Sequence, residues 1–144
     1  MIEAKNIIYK EYISREYIKQ NPNYLFVFGD NDTRTGFGGQ AKEMRGEPNS
    51  VGIRVKKKPL DGEDVYYTDD ELEENMKKIN RDIETVVWQY DYNPQCEKLV
   101  FPMQGIGTGL AKLKEKAPQT YNHLVHMLKQ FGIDNEIKNF KEKK

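Results

Sequence analysis

The chain contains few of the residues that form disulfides or bind metal ions. Among its 144 residues there is one cysteine, Cys96, and there are two histidines, His123 and His126. A single cysteine excludes an intrachain disulfide, so the sequence carries no sign of an oxidising compartment. Two histidines three positions apart, with no cysteine or carboxylate cluster beside them, make a poor zinc site. We therefore expect a protein without a metal ion or other cofactor.

Long apolar runs and an excess of one charge are also missing. No run approaches the roughly 18 apolar residues that a membrane-spanning helix needs, and residues 1–6 lack the order of a signal peptide. Lysine plus arginine and aspartate plus glutamate number 23 each, which gives a net charge of zero. General nucleic-acid binding needs a basic field and is not expected, nor is a membrane partner. We expect a cytoplasmic protein, in the host cytoplasm if a phage encodes it, with homo-oligomerisation left open.

Short apolar runs alternate with amphipathic stretches along the chain. We predict strands at residues 4–9, 24–29, 50–55 and 98–103, and helices at residues 10–20, 38–45, 69–89 and 118–131. The third helix has an apolar residue every three or four positions, and Thr68 with Glu71 predicts a capping box at its start. Such alternation is typical of the α/β class with a mostly parallel sheet. Residues 1–133 fit one domain, and the polar residues 134–144 are expected to fray.

Two glycine-rich turns, each following an apolar strand, are the main functional signal. The first contains Gly29 and the run Gly36-Phe37-Gly38-Gly39, and the second is Gln104-Gly105-Ile106-Gly107-Thr108-Gly109. Glycine leaves backbone amides open to phosphate oxygens, and ligands of parallel sheets bind beyond the carboxyl ends of the strands. One shared site for a diphosphate is therefore our leading interpretation. The alternative is that each segment is only a tight strand-to-helix turn.

Polar side chains accompany the first turn. Asn31 is suited to sugar hydroxyls, and Asp30 and Asp32 to ribose hydroxyls or a positioned water, unless the three form an Asx-rich turn. Phe37 is a candidate for stacking on a base, or else packs beneath the loop. Arginines and lysines form a candidate basic rim, although the lysine run also fits a solvated loop; these residues are Arg34, Arg45, Arg54 and Lys56, Lys57 and Lys58.

Together the two turns resemble the binding loops of macro domains, the ADP-ribose-binding fold. Residues 28–31 followed by 36–41 have the shape of that family's Asn-Ala-Ala-Asn strand end and glycine run. Residues 101–109 are similar to its Pro-x-Ile-Ser-Thr-Gly loop. The compact form looks more like the phage and bacterial members. A segment like the family's Gly-Asp-Ile-Thr, which carries the adenine-binding aspartate, is not found.

This resemblance implies a three-layer macro-like fold with a mostly parallel mixed sheet flanked by helices. It places Asn31 at the distal ribose, Gly38 and Gly39 near that ribose and the diphosphate, and residues 105–109 in a second diphosphate loop. The expected ligand is ADP-ribose or a related, even cyclic, nucleotide. The full set of candidate ligand-binding residues is Gly29, Asn31, Arg34, Gly36, Phe37, Gly38, Gly39, Arg54, Gln104, Gly105, Ile106, Gly107, Thr108 and Gly109.

Three functions stay open at this point. The first is a protein that binds and sequesters a nucleotide signal, for which a counter-defence role is plausible in phage relatives. The second is a hydrolase of an ADP-ribose derivative, such as an ADP-ribosyl group or a 1″-phosphate, with Asp30, Asn31 and Asp32 as the catalytic candidates. The third is a protein–protein module on the same fold, anchored by exposed tyrosines.

Overall fold

A four-stranded sheet forms the centre of the molecule. The computed structural model describes residues 2–137, and its strands are β1 (Ile7–Lys10), β2 (Tyr24–Asn31), β3 (Ser50–Lys56) and β4 (Lys98–Pro102). Their order is β1-β4-β2-β3 and all three pairings are parallel. Among the described residues, antiparallel pairing is limited to one isolated bridge between Lys56 and Tyr66. The predicted α/β class with a mostly parallel sheet is confirmed.

Helices cover both faces of the sheet and make three layers. On one face α1 (Arg15–Gln20) and α2 (Ala41–Met44) pack over Phe26, Phe28 and Val100. On the other, α3 (Leu72–Tyr92) and α5 (Pro118–Gln130) cover Leu25, Val27 and Leu99, with the short α4 (Leu113–Lys116) beside them. Successive residues of a strand point to opposite faces, so β2 feeds both cores. Each fully buried large side chain contributes about 1.5–3 kcal/mol to the free energy of unfolding.

Helix starts differ from the predictions for local reasons. The helix predicted from residue 10 begins at Arg15, because the Ser14 hydroxyl caps it by accepting from the Tyr17 amide at 3.1 Å. The helix predicted at residues 38–45 shortens to Ala41–Met44, since Gly39 has a φ of +56°. The helix predicted at residues 69–89 is a 3₁₀ turn, Asp69–Glu71, followed by α3.

The predicted capping box at Thr68 is wrong. Thr68 contributes its backbone carbonyl, which accepts from the Glu71 amide at 3.1 Å. The neighbouring Asp69 caps a different helix: its carboxylate accepts from the amides of Gln119 and Thr120, in the first turn of α5, at 2.9 and 3.0 Å. A residue that precedes α3 in the sequence therefore stabilises the start of α5.

The chain stays packed beyond residue 133, where we expected fraying. Asn135 is only 1% exposed, because its side chain hydrogen-bonds the second glycine loop. The expectation therefore fails for residues 134–136, and residues 138–144 of the predicted tail lie outside the described residues. Within residues 2–137, no helix is long and apolar enough to cross a membrane.

Candidate ligand-binding cavity

A cavity of about 400 Å³ opens at the carboxyl ends of the strands. Residues of both glycine loops line it, which brings together segments more than sixty positions apart in the sequence. The predicted site residues among its lining are Gly29, Asp30, Asn31, Gly36, Gly38, Gly39, Gln104, Gly107, Thr108 and Gly109. Those outside the lining are Asp32, Arg34, Phe37, Arg54, Gly105 and Ile106. The volume is in the range of ordinary small-molecule sites, roughly 300–1,000 Å³.

Gln40 connects the two loops. Its side-chain oxygen accepts from the Gly29 amide at 2.8 Å, and its nitrogen donates to the Gly105 carbonyl at 3.0 Å. Leu110 adds an apolar contact, since a Cβ built on Gly38 or Gly39 would lie 3.4 or 3.5 Å from its Cδ1. The sequence analysis missed the role of Gln40, although its position directly after the glycine run was visible.

Backbone amides of both loops are left available at the cavity. Within residues 2–137, the amides of Gly38, Gly39, Gly107, Thr108 and Gly109 donate to no protein acceptor. The Thr108 hydroxyl donates to the carbonyls of its own loop at 3.1 and 3.3 Å. The loops therefore offer main-chain rather than side-chain donors, and such donors suit anion oxygens.

The first half of the second loop serves the fold. The Gly105 amide donates to the Pro102 carbonyl at 2.9 Å, and the Ile106 amide donates to Asn135 Oδ1 at 2.6 Å. Gly105 has a φ of +88°, and a Cβ there would collide with the Asn135 backbone. Because these two amides are engaged, they are not available to a ligand, whereas the amides of Gly107–Gly109 are.

Asp30 is the centre of a buried ion-pair network. Its carboxylate is 2.5 Å from Arg45 Nη2 and 3.1 Å from Arg34 Nη1, and it accepts from the Asn31 amide at 2.8 Å. Arg34 reaches on to Asp82 of α3 at 2.9 Å. A carboxylate paired with two guanidinium groups is a structural anchor and is poorly placed to act as a general base.

Arg54 does not belong to the cavity rim. Its guanidinium Nε lies 3.0 Å from Asp82 Oδ2, and its backbone amide donates to the same oxygen at 2.7 Å. The hydrogen bonds that Arg54 donates to Asp82 raise the pKa of Arg54 above its ordinary value. Arg34 and Arg54 therefore lie outside the cavity lining and pair with carboxylates instead of forming the predicted rim, whereas Arg45 lines the cavity with its guanidinium paired to Asp30.

Asp32 also has structural partners. Its carboxylate accepts from the Tyr67 hydroxyl at 2.5 Å and lies 2.8 Å from Lys78 Nζ. Burial, and then the hydrogen bond to Asp32, raise the pKa of Tyr67 above its ordinary value. Tyr67 is therefore a neutral donor that, with Lys78, ties the first loop to the rest of the fold.

Asn31 lines the cavity, but its polar atoms are used by its own loop. The side-chain nitrogen of Asn31, Nδ2, donates to the Thr35 carbonyl at 2.8 Å. Its side-chain oxygen accepts from the Thr33 backbone amide at 3.0 Å and from the Thr33 hydroxyl at 2.6 Å. This is the Asx-turn arrangement that the sequence analysis left open. With Asp30, Asn31 and Asp32 all engaged, the three candidate catalytic side chains are structural partners here.

One lysine of the predicted basic rim lines the cavity. Lys56, the last residue of β3, is 7% exposed, and its ammonium nitrogen lies 5.3 Å from the ring centroid of Tyr66. At the opposite end are Glu11 and Tyr12, whose hydroxyl donates to Glu43 at 3.1 Å. Phe37 is 64% exposed beside the first loop. The sequence left Lys56 undecided between a basic rim and a solvated loop, because Lys57 and Lys58 follow it directly.

These features define a parallel three-layer α/β protein with one cavity built from two glycine loops at the carboxyl edge of its sheet. The chain belongs to the family of unknown function DUF7831, whose model matches residues 8–127. That span includes both glycine loops and all four strands apart from the first residue of β1. No curated protein and no solved structure matches the chain.

Proposed function

We propose that the cavity binds a nucleotide containing a diphosphate, such as ADP-ribose or a cyclic relative of it, and sequesters it. The observation that carries the proposal is the convergence of unpaired loop amides from Gly38–Gly39 and Gly107–Gly109 on one cavity of about 400 Å³. Amides at the carboxyl edge of a parallel sheet are suited to phosphate oxygens. The resemblance of both loops to those of macro domains supports the same ligand class.

The surroundings of the loops suit the remainder of a nucleotide. Exposed apolar side chains stand near the cavity: Tyr12 and Leu110 line it and are 67% and 57% exposed, and Phe37 adjoins it. Aromatic rings and a leucine of this kind provide a surface on which a base or ribose can pack. The partners of Asp30, Asn31 and Asp32 favour binding over hydrolysis.

Ligand-induced stabilisation is the first test. Thermal unfolding is measured with ADP-ribose, NAD and cyclic ADP-ribose isomers, followed by calorimetric titration of any ligand that raises the melting temperature. At a concentration of 100 times Kd, a ligand stabilises the protein by about 2.7 kcal/mol. If every one of these nucleotides leaves the melting temperature unchanged at millimolar concentration, the proposal is wrong.

Gly38→Val is the most informative variant. Unlike Gly39 and Gly107, Gly38 has a φ outside the left-handed region, and its added Cβ meets only the flexible end of Leu110 at 3.4 Å. The valine is therefore compatible with folding, while its methyl groups obstruct the loop amides. Nucleotide affinity should fall at least tenfold in Gly38→Val and stay unchanged in Tyr92→Ser, an exposed control outside the cavity. Equal affinities would remove the first loop from the binding site.

A further inference from the structure

Three lysines converge on one aromatic ring, and one of them, Lys56, lines the cavity. The ammonium nitrogens of Lys56, Lys112 and Lys116 lie 5.3, 5.8 and 5.2 Å from the ring centroid of Tyr66. Lys56 ends β3, whereas Lys112 and Lys116 flank and end α4 directly after the second glycine loop. We call these three side chains the lysine cluster. All three charges therefore lie within 5.8 Å of the centroid of the same ring.

No carboxylate balances this cluster within residues 2–137. The ion pairs of those residues include Lys57 with Glu71 at 2.5 Å and Lys114 with Glu136 at 3.8 Å, but none involves a member of the cluster. Nor does any of the three ammonium groups donate to a protein acceptor in that part of the chain. Attraction to the Tyr66 ring offsets only part of the repulsion among three like charges.

Lys56 brings one charge of the cluster to the cavity. Only 7% of the residue is exposed, and it lines the cavity. Its ammonium nitrogen nevertheless keeps contact with water, because the described residues include no buried side-chain nitrogen without a hydrogen-bond partner. This ammonium group has an aromatic face on one side and the cavity beside it, and a negatively charged ligand in the cavity would supply the missing partner.

The backbone conformation of Lys112 is a second indication that the cluster is functional. Its φ and ψ are +47° and +37°, the left-handed conformation that glycine adopts without strain. Besides Lys112, Arg34 is the one residue other than glycine with a positive φ among residues 2–137. Backbone strain of this sort is concentrated at functional sites, and here it accompanies an ammonium group of the cluster.

We propose that the lysine cluster is a phosphate subsite, which binds a phosphate group of the ligand separately from the amides of the two glycine loops. A phosphate group carries up to about two negative charges and three acceptor oxygens, so it matches three ammonium donors better than a carboxylate does. Because Lys56 joins the cluster to the cavity, the inference rests on the proposed function for the identity of the whole ligand. Its recognition chemistry requires only a phosphate.

The test uses inorganic pyrophosphate, adenosine monophosphate and ADP-ribose as probes in calorimetric titrations. Four variants are compared with the wild-type protein: Lys56→Met, Lys112→Gly, Lys116→Gln and, as the control, Lys58→Gln. Lys58 is exposed and two residues from Lys56, so it matches the change in net charge without touching the cluster. Lys116 is also exposed, and its loss leaves the core intact even if Lys56→Met folds poorly.

We expect pyrophosphate to bind the wild-type protein with an affinity that falls as salt is added. Each cluster variant should weaken binding about tenfold or more, the effect of losing one charge-assisted hydrogen bond. Lys58→Gln should bind as the wild type does. Stronger binding of adenosine monophosphate than of ADP-ribose would place a phosphomonoester in the subsite, and the reverse order would place the diphosphate there.

Two results would overturn the subsite: no binding of pyrophosphate and adenosine monophosphate to the wild type, or equal affinities in Lys116→Gln and Lys58→Gln. The fate of the proposed function is separable. ADP-ribose binding that depends on Gly38 and is indifferent to the lysines would keep that function and reject the subsite. Lysine-dependent pyrophosphate binding without any nucleotide binding would keep the subsite and reject that function.

Discussion

The side chain of Asn135 forms two hydrogen bonds with the backbone of Ile106, in the way that a neighbouring strand would. The Ile106 amide donates to Asn135 Oδ1 at 2.6 Å, and the Ile106 carbonyl accepts from Asn135 Nδ2 at 3.0 Å. Both residues are buried, with exposed fractions of 1% and 0%. A side chain thereby satisfies both polar groups of a loop residue that has no neighbouring strand. The free amides of Gly107–Gly109 come directly after Ile106 in the sequence, so this pair fixes the start of their segment.

Asn135→Ala should therefore destabilise the fold and loosen the second loop. The variant leaves a buried amide and a buried carbonyl without partners, which costs about 1–3 kcal/mol for each group that remains unsatisfied. The free energy of unfolding from urea titration measures the loss, and nucleotide affinity should fall with it. Asp134→Asn, an exposed neighbour that keeps an acceptor, is the control. A chain ending at residue 133 should be at least as unstable as Asn135→Ala. Wild-type stability in either variant would contradict the role of this pair.

Asp69 should contribute to stability through α5. The residue before that helix is Ala117, so Asp69 supplies the cap from outside by accepting from Gln119 and Thr120. Loss of a capping side chain costs roughly 0.5–2 kcal/mol. Asp69→Ala should lower the free energy of unfolding by about 1 kcal/mol at pH 7, whereas the exposed Asp70→Ala should leave it unchanged. Equal values for the two variants would contradict the cap.

The same carboxylate predicts a pH dependence. Burial opposes ionisation of Asp69, but hydrogen bonds from the Gln119 and Thr120 amides and the Thr120 hydroxyl outweigh it and lower its pKa. A depressed folded-state pKa contributes stability above the unfolded value, about 3.9, and that contribution is lost as the pH falls through the folded value. Asp69→Asn should therefore be closer to the wild type in melting temperature at pH 3 than at pH 7. An undiminished difference at pH 3 would show that the charge is not responsible.

The sequence predicted what local patterns determine. Short apolar runs such as residues 24–29 specify buried strands, and glycine at positions 36, 38 and 39 can only mark a turn, so both loops and the sheet class followed. The partners of polar residues did not. Arg54 pairs with Asp82, 28 positions away, and Asn135 pairs with Ile106, 29 positions away. No periodicity encodes such pairs, because they depend on how α3 and the final turn pack against the sheet.

Lys56 and Arg54 show why charge alone was misleading. They stand two positions apart near the end of β3, and the sequence offered both as parts of one basic rim. In a regular strand, alternate residues such as Arg54 and Lys56 point to the same face. Here the strand register shifts, because Asp30 of β2 pairs with Arg54 whereas the next residue, Asn31, pairs with Lys56. Arg54 reaches α3 and Asp82, whereas Lys56 reaches the cavity and Tyr66. The irregularity that separates them is invisible in the sequence.

Asp82→Asn should destabilise the fold. Asp82 is only 2% exposed, and its carboxylate forms ion pairs with Arg34 and Arg54. Breaking a pair by neutralising one partner costs about 3–5 kcal/mol when the other charge stays buried. Arg54 is 17% exposed, whereas Arg34 is 43% exposed and keeps Asp30 as a partner, so we expect a loss at or below the lower end of that range. The free energy of unfolding in urea checks the loss, with the exposed Glu84→Gln on the same helix as the control. A change below about 1 kcal/mol would mean that the two arginines find water instead.

Lys112→Gly should stabilise the ligand-free protein while weakening anion binding. Relief of the left-handed backbone at Lys112 is worth about 1–2 kcal/mol, and the greater chain entropy of glycine offsets about 0.5–1 kcal/mol of that. A net gain of about 0.5–1 kcal/mol in the free energy of unfolding is expected. Lys112→Ala separates strain from charge, because alanine removes the ammonium group and keeps the strained backbone. If both variants gain equally, repulsion within the lysine cluster is the dominant cost at this position; if only glycine gains, the backbone conformation is. A loss of stability in both would contradict the strain and the unbalanced charge together.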